Sequence, residues 1–177
     1  WKPRGNRSQL WALQGKEETT EMAEVKALLV KGFSSYQADQ LISFLGHADR
    51  RIRLQSQFEL ANRKEVKALR AKVIDAKADL LPRLHALWGL GQLKGKDRDL
   101  LKLLCSDEDA EIRAQAVRWA GELGFDPDNL VPGLLRDSSP RVRSMAGIAC
   151  GKLKSKDALE PLTELIVEAA NKETVLR

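Results

Sequence analysis

Cysteine, histidine and aromatic residues are scarce in this chain. Two cysteines and two histidines occur among 177 residues, and aromatics make up 5%. Cys105 and Cys150 lie far apart and form no C-x-x-C pair, which excludes a disulfide framework and a cysteine-based zinc site. Both fall at apolar positions of expected helices and read as buried free thiols. His47 is expected in a turn and His85 on a helix, with no matched nucleophile and no metal-ligand spacing beside either. No P-loop or dinucleotide fingerprint occurs. Asp107-Glu108-Asp109 reads as a turn plus a helix cap rather than as paired catalytic carboxylates. No run of about 18 apolar residues is present, so no membrane span is expected. A signal-peptide pattern is also missing at the start. The chain begins at Trp1 without a methionine, as an excised or processed segment would. Neither sustained apolar–polar alternation nor Asn-Gly turns appear, so strands are not expected. These absences point to a chain that is not an enzyme and that holds no metal or cofactor.

What is present suits a helical protein. Hydrophobic residues make up 43% and charged residues 31%, a balance that argues against general disorder. The net charge of +5 is unevenly placed. Residues 1–49 are neutral, residues 50–83 carry 10 basic and 4 acidic side chains, and residues 84–177 are net −1.

The strongest signal is internal repetition. Arg53, Arg83, Arg113 and Arg143 each stand 30 residues apart, and the columns around them agree. One residue before stand Ile52, Pro82, Ile112 and Val142; four before, Asp49, Asp79, Asp109 and Ser139. Three after stand Ser56, Ala86, Ala116 and Ala146; eight after, Ala61, Gly91, Gly121 and Gly151. Asp and Ser are preferred N-cap residues, whose oxygens accept the free N–H groups of a new helix. Pro140, just after Ser139, suits the first helical position. A helix, here B, therefore begins at each of these caps. Offsets −1, +3, +7 and +10 share one apolar face. A preceding helix A is expected from Leu41, Phe44 and Leu45, then Leu101, Leu104 and Cys105, then Val131, Leu134 and Leu135. The second unit departs from that pattern. Its stripe is Val66, Leu69, Val73 and Ile74, which predicts a longer or re-registered A helix. Between units, Gly95 suits a helix C-cap and Asp97 the next N-cap.

The expected architecture is all-α: an α-solenoid of stacked antiparallel helix pairs. Residues 1–18, including Trp1 and Trp11, read as a linker or N-terminal extension, and 19–31 as one helix with Val25, Leu28 and Leu29 inward. The repeat domain is expected over 19–177, with four units and a partial fifth from about residue 157. In that fifth unit, 157–170 reads as an A helix, and Glu173 onward could open its B helix. The solenoid is expected to continue beyond Arg177, since no polar cap is evident there.

Asp109-Ala110-Glu111-Ile112-Arg113 through Leu123, and Pro140-Arg141-Val142-Arg143 through Leu153, resemble the HEAT-repeat family in its short form, also seen in bilin-lyase-type repeats. The resemblance covers about 37–177 and implies a scaffold for protein–protein or interdomain interaction, since HEAT arrays serve many roles. More narrowly, Leu45 through Ala61 and His85 through Gly91 are similar to the HEAT segment of large secreted bacterial proteins that join a dehydrogenase-like propeller to a c-type haem domain. That resemblance implies a connecting segment and a secreted or periplasmic setting. The haem motif C-x-x-C-H is absent here, so no redox role carries over to this chain.

Three groups of residues are candidate sites. The first is the arginine column, read as a structural ladder in which Arg53, Arg83, Arg113 and Arg143 bond the N-cap aspartates Asp49, Asp79 and Asp109, their own or the next unit's. An anion-binding row is the alternative. The second is the outward face of the B helices: Gln55, His85 and Gln115 at offset +2, Phe58, Trp88 and Arg118 at offset +5, with Trp119 adjoining. Aromatics and arginine are favoured interface anchors. Packing of Phe58 and Trp88 between units is the competing reading. The third is the basic stretch 50–83, which could contact nucleic-acid phosphates or simply be a solvated face. The expected function is thus a scaffold for a protein partner or neighbouring domains, with a nucleic-acid-binding array and a bilin-lyase-like chromophore-handling protein as alternatives.

Overall fold

The computed structural model describes residues 19–175, with side chains described through Val167. Residues 1–18 lie outside the described residues. The chain divides into two units, residues 1–32 and 33–177. The described part of the first is one helix, α1 (Thr20–Lys31), started by the Thr19 hydroxyl, which accepts from the Met22 N–H. Val25 is buried, and Leu28 and Leu29 are half-buried.

The second unit is a row of helix pairs, and no strand occurs among the described residues. The pairs are α2 (Ala38–Phe44) with α3 (Arg50–Asn62), α4 (Val66–Ile74) with α5 (Leu80–Gln92), and α6 (Arg98–Cys105) with α7 (Ala110–Leu123). In the fourth pair, two 3-10 turns (Pro127–Asn129 and Val131–Arg136) precede α8 (Pro140–Leu153). A further 3-10 turn, Lys156–Ala158, leads into α9 (Leu159–Val175). The second helices stack in order, α3 on α5, α5 on α7 and α7 on α8, which defines a helical repeat solenoid.

The repeat columns explain this regularity. Ile52, Ile112 and Val142 are fully buried, as are Ala86, Ala116 and Ala146. Small residues bring the helices close. A methyl group added to Gly121 would stand 2.9 Å from both Cα and Cβ of Ala149, so α7 and α8 touch backbone to backbone there. Of the four predicted caps, Asp49 accepts from the Arg51 N–H, and Asp109 from the N–H groups of Glu111 and Ile112. Asp79 and Ser139 occupy the cap position without a side-chain cap bond.

Several expectations are corrected. The fourth unit has no α-helical A segment, because Pro132 and Gly133 interrupt the apolar stripe; a proline there removes an N–H and crowds the preceding turn. Val131 and Leu135 still reach the core from the 3-10 turn. In α4 only Leu69 and Val73 are buried, whereas Val66 and Ile74 are exposed. The B helices end on another regular column: Lys64, Lys94, Gly124 and Lys154, 30 residues apart, all sit at positive φ between 52° and 59°. The left-handed C-cap after α5 is therefore Lys94 and not Gly95, while Asp97 does cap α6 by accepting from the Leu100 N–H. Finally, α9 runs unbroken past Glu173, where a B helix was expected to open. Between Leu162 and Val175 the sequence offers no glycine, proline, aspartate or serine to stop it.

Arg63 marks the start of the row. It stands where the later units have Leu93, Leu123 and Leu153. Its guanidinium donates to the carbonyls of Phe33, Ser34 and Tyr36, and it pairs with Glu59. Phe33, Tyr36 and Phe44 close edge-on or tilted against one another beside it.

Candidate functional site: the arginine rungs and the groove along the second helices

The arginine column forms rungs, but not with the predicted aspartates. Arg113 Nη1 donates to the carbonyls of Asp107 and Glu108, in the turn just before its own helix, at 2.7 and 3.0 Å. Its Nε and Nη2 form a two-pronged pair with Asp137 of the next unit, at 2.8 and 2.9 Å. Arg83 repeats the outward half, reaching Asp107 with Nη2 while Nε donates to the Val73 carbonyl. The partner is thus the residue 24 positions on, two before the next cap. Two of the cap residues, Asp49 and Asp109, are elsewhere engaged. Asp49 holds Arg51 through two bonds, and that guanidinium keeps its carboxyl down at about 2. The Arg113 hydrogen bonds likewise hold Asp137 below the usual carboxylate range, against the opposing effect of burial.

The two ends of the column differ. Position 77, where Arg53 would find its carboxylate, is a lysine. Arg53 Nη1 still takes the carbonyls of His47 and Ala48, but its Nε donates to His85 Nε2 at 3.1 Å. His85 is only 3% exposed, and its Nδ1 bonds Gln57 Oε1 at 2.7 Å. Accepting at Nε2 from a permanent cation requires the proton on Nδ1, so the ring is neutral. Burial first, then the charges of Arg53 and Arg50, push its pKa down to about 4. At the other end, Arg143 takes the carbonyls of Asp137 and Ser138 and pairs with no acid among the described residues; the residue 24 positions on is Val167, exposed on α9.

The expected outward face separates by offset. The +5 column projects: Phe58 is 42% and Ile148 53% exposed, Arg118 is exposed, and Trp88 is half-buried. Of the +2 residues, Gln55 is exposed, but His85 and Gln115 are buried. Gln115 Oε1 accepts from the Trp88 indole N–H at 3.1 Å, and its Nε2 donates to Glu111. Glu111 in turn holds Arg141 of the next unit. His85 packs edge-on against Trp88 with ring centres 5.0 Å apart. The Trp88 ring is thereby fixed from two sides. Trp119 is buried at 5% exposure.

Between α3, α5 and α7 lies a groove of about 410 Å³. Leu54, Leu87, Trp88 and Trp119 give it apolar walls, and Arg50 and the exposed Arg118–Glu122 pair stand among its lining residues. Gln57 and Gly91 were not singled out from the sequence as parts of a site, although Gly91 belongs to the small-residue column; Arg50 was, as the start of the basic stretch 50–83.

The basic stretch 50–83 is largely occupied. Arg51, Arg63, Arg70, Lys72 and Arg83 pair with Asp49, Glu59, Asp97, Asp75 and Asp107, and Arg53 is held as described above. Arg50, Lys64, Lys67 and Lys77 make no ion pair among the described residues, and they lie on separate elements. Cys105 and Cys150 are free and buried, and burial pushes the Cys105 thiol up to about 12. Among the described residues no group of three or more His, Cys, Asp or Glu is placed to hold a metal, and no helix is long and apolar enough to cross a membrane.

The profile of the HEAT repeat family matches residues 98–176. The segment from α6 through α9 is thus similar to HEAT repeats, and α2 to α5 share its 30-residue period, with the carboxylate rung at Arg83. No curated protein matches the chain.

Proposed function

We propose that the chain is a non-catalytic scaffold that binds a protein partner, or a neighbouring domain of its own polypeptide, along the face of α3, α5 and α7. The carrying observation is the groove there, with a rigidly held, half-exposed Trp88 on its wall and Phe58 and Arg118 projecting nearby. Such anchors dominate binding energy at interfaces. A groove of about 410 Å³ accepts one or two side chains of a bound segment. Binding there asks no chemistry of the chain. The rungs serve this role indirectly, by fixing the register of the helices that present the face. The connecting role implied by the dehydrogenase-like resemblance is one form of the same reading.

A random peptide library displayed on phage and panned on the chain tests this. Binders are expected to emerge that lose about tenfold or more in affinity on the Trp88→Ala variant. Failure to enrich any binder, or enrichment indifferent to Trp88→Ala and Phe58→Ala, refutes the reading. Titration with duplex DNA at low salt and with a bilin tests the two alternatives on the same protein.

A further inference from the structure

We infer that Arg143 anchors a binding site for a carboxylate: the Nε–Nη2 edge of its guanidinium takes an acid on a short apolar stem, in the cavity between the end of the second 3-10 turn of the fourth unit and α9. The groove along α3, α5 and α7 takes no part, so either reading can fail alone.

The other arginines of the column show what that edge does. In Arg53, Arg113 and Arg143 alike, Nη1 is fixed by two backbone carbonyls, six and five residues earlier. The opposite edge then meets an acceptor in a neighbouring unit. Arg53 Nε meets His85, Arg83 Nη2 meets Asp107, and Arg113 Nε and Nη2 take both oxygens of Asp137. Arg143 Nε and Nη2 donate to none of the described residues, although the group is half-buried and already held by its two carbonyls. A ligand there need not order a free side chain, which removes one of the usual costs of binding.

The difference lies in α9. In the fourth unit the 3-10 turn stops at Arg136, and the next residue, Asp137, reaches Arg113. Helix α9 runs on through the matching position, where Val167 is exposed. Arg143 thus lines a cavity of about 210 Å³, with apolar walls from Leu135, Pro161 and Leu165. Two acids line it as well, and both are engaged at each oxygen. Asp137 is held by Arg113, and Glu164 by Arg136. The guanidinium fork matches a carboxylate in shape, and the walls suit the carbons behind it. A phosphate dianion fits less well, because the Asp137 and Glu164 carboxylates repel a second negative charge more than a first.

Titration of the full nitrogen-15-labelled chain with sodium propionate tests this, with chloride holding the ionic strength constant. The Arg143 Nε–H resonance, identified by its loss in Arg143→Lys, is expected to move saturably, with a midpoint on the order of 10 mM. The Arg113 Nε–H should stay still, since its edge is filled. The backbone amides of Leu135 and Leu165 should follow the same curve in the parent chain and stop moving in Arg143→Lys, which keeps the charge but not the fork. Far-UV circular dichroism checks that the variant is folded. A tripeptide with a central glutamate and blocked ends separates the sources. Binding about tenfold tighter than propionate assigns the site to an acidic side chain of a protein, and equal or weaker binding assigns it to a free small acid. No saturation at Arg143, an equal shift at the exposed Arg118, an unchanged titration of Arg143→Lys, or inorganic phosphate binding as tightly as propionate overturns the inference. A response that appears only after Glu168→Gln gives the edge to that residue of α9 and overturns it as well.

Discussion

Replacing Arg113 by alanine tests the rungs directly, because the column contains its own control. Arg113 makes two bonds to Asp137 and two to backbone carbonyls, and its side chain is 14% exposed against 8% for Asp137. Removing it leaves a nearly buried carboxylate with one remaining donor, the Ser139 N–H. Breaking one partner of a buried pair costs about 3–5 kcal/mol, and the lower end applies where the pair is not fully sealed. A loss of about 3 kcal/mol lowers Tm by about 6–12 °C for a chain of this size. Arg143→Ala removes only the two carbonyl bonds, since no acid pairs with Arg143 among the described residues. Its expected cost is about 1 kcal/mol, or about 2–4 °C. Thermal and urea unfolding followed by far-UV circular dichroism measure both variants. Pairing Arg113→Ala with Asp137→Ala should give a coupling energy of about 2 kcal/mol. Equal melting temperatures for the two arginine variants, together with coupling under about 0.5 kcal/mol, would refute the reading that the carboxylate pair holds the units in register.

Three further outcomes follow from single positions. Ser56 is fully buried with no partner for its hydroxyl among the described residues, in a column otherwise filled by alanine, so Ser56→Ala should stabilise the chain by about 1 kcal/mol in urea titrations. Lys94 holds a left-handed conformation at φ 52°, so Lys94→Gly should raise stability by about 1 kcal/mol, while the same change at Lys96 should not. The unfolded chain protonates His85 near its ordinary value of about 6.5, but the folded chain does so only near 4, so protons favour unfolding in that window. Stability should be level above pH 6.5 and fall by up to about 3 kcal/mol toward pH 4, and His85→Gln should flatten that fall.

The second helices were legible in the sequence because local rules agree there. An N-cap residue four before each arginine and small residues three and eight after leave one place for each helix to begin. The +5 column was legible for a geometric reason: at about 100° per residue, it lies opposite the core positions −1, +3 and +7. The same wheel puts Trp119, at +6, within about 20° of the buried −1 position, so its adjacency to the outward face was misleading. His85 and Gln115 lie on the flank, where a long polar side chain can fold back, and each found a partner in a neighbouring unit. Such pairings, 32 and 27 residues apart, are not local patterns. The aspartate rungs left only a half-filled column, since Asp107 and Asp137 are matched by His47 and Lys77 in the first two units. The cap after α5 was misplaced by one residue because a glycine was expected where helix length, and not residue type, sets the left-handed turn.

Taken in chain order, the rungs make a row of alternating charge: Arg83, Asp107, Arg113, Asp137, Arg143. Asp137 feels both Arg113 and Arg143, and Arg113 feels both Asp107 and Asp137. The row resembles a one-dimensional salt crystal whose last ion among the described residues is a cation, since the position 24 residues on, 167, is a valine. Swapping α9 for one more unit, with aspartate at position 167, supplies the missing counter-ion and lengthens the lattice by a cell. Such a unit would meet a cation already held in place by the Asp137 and Ser138 carbonyls.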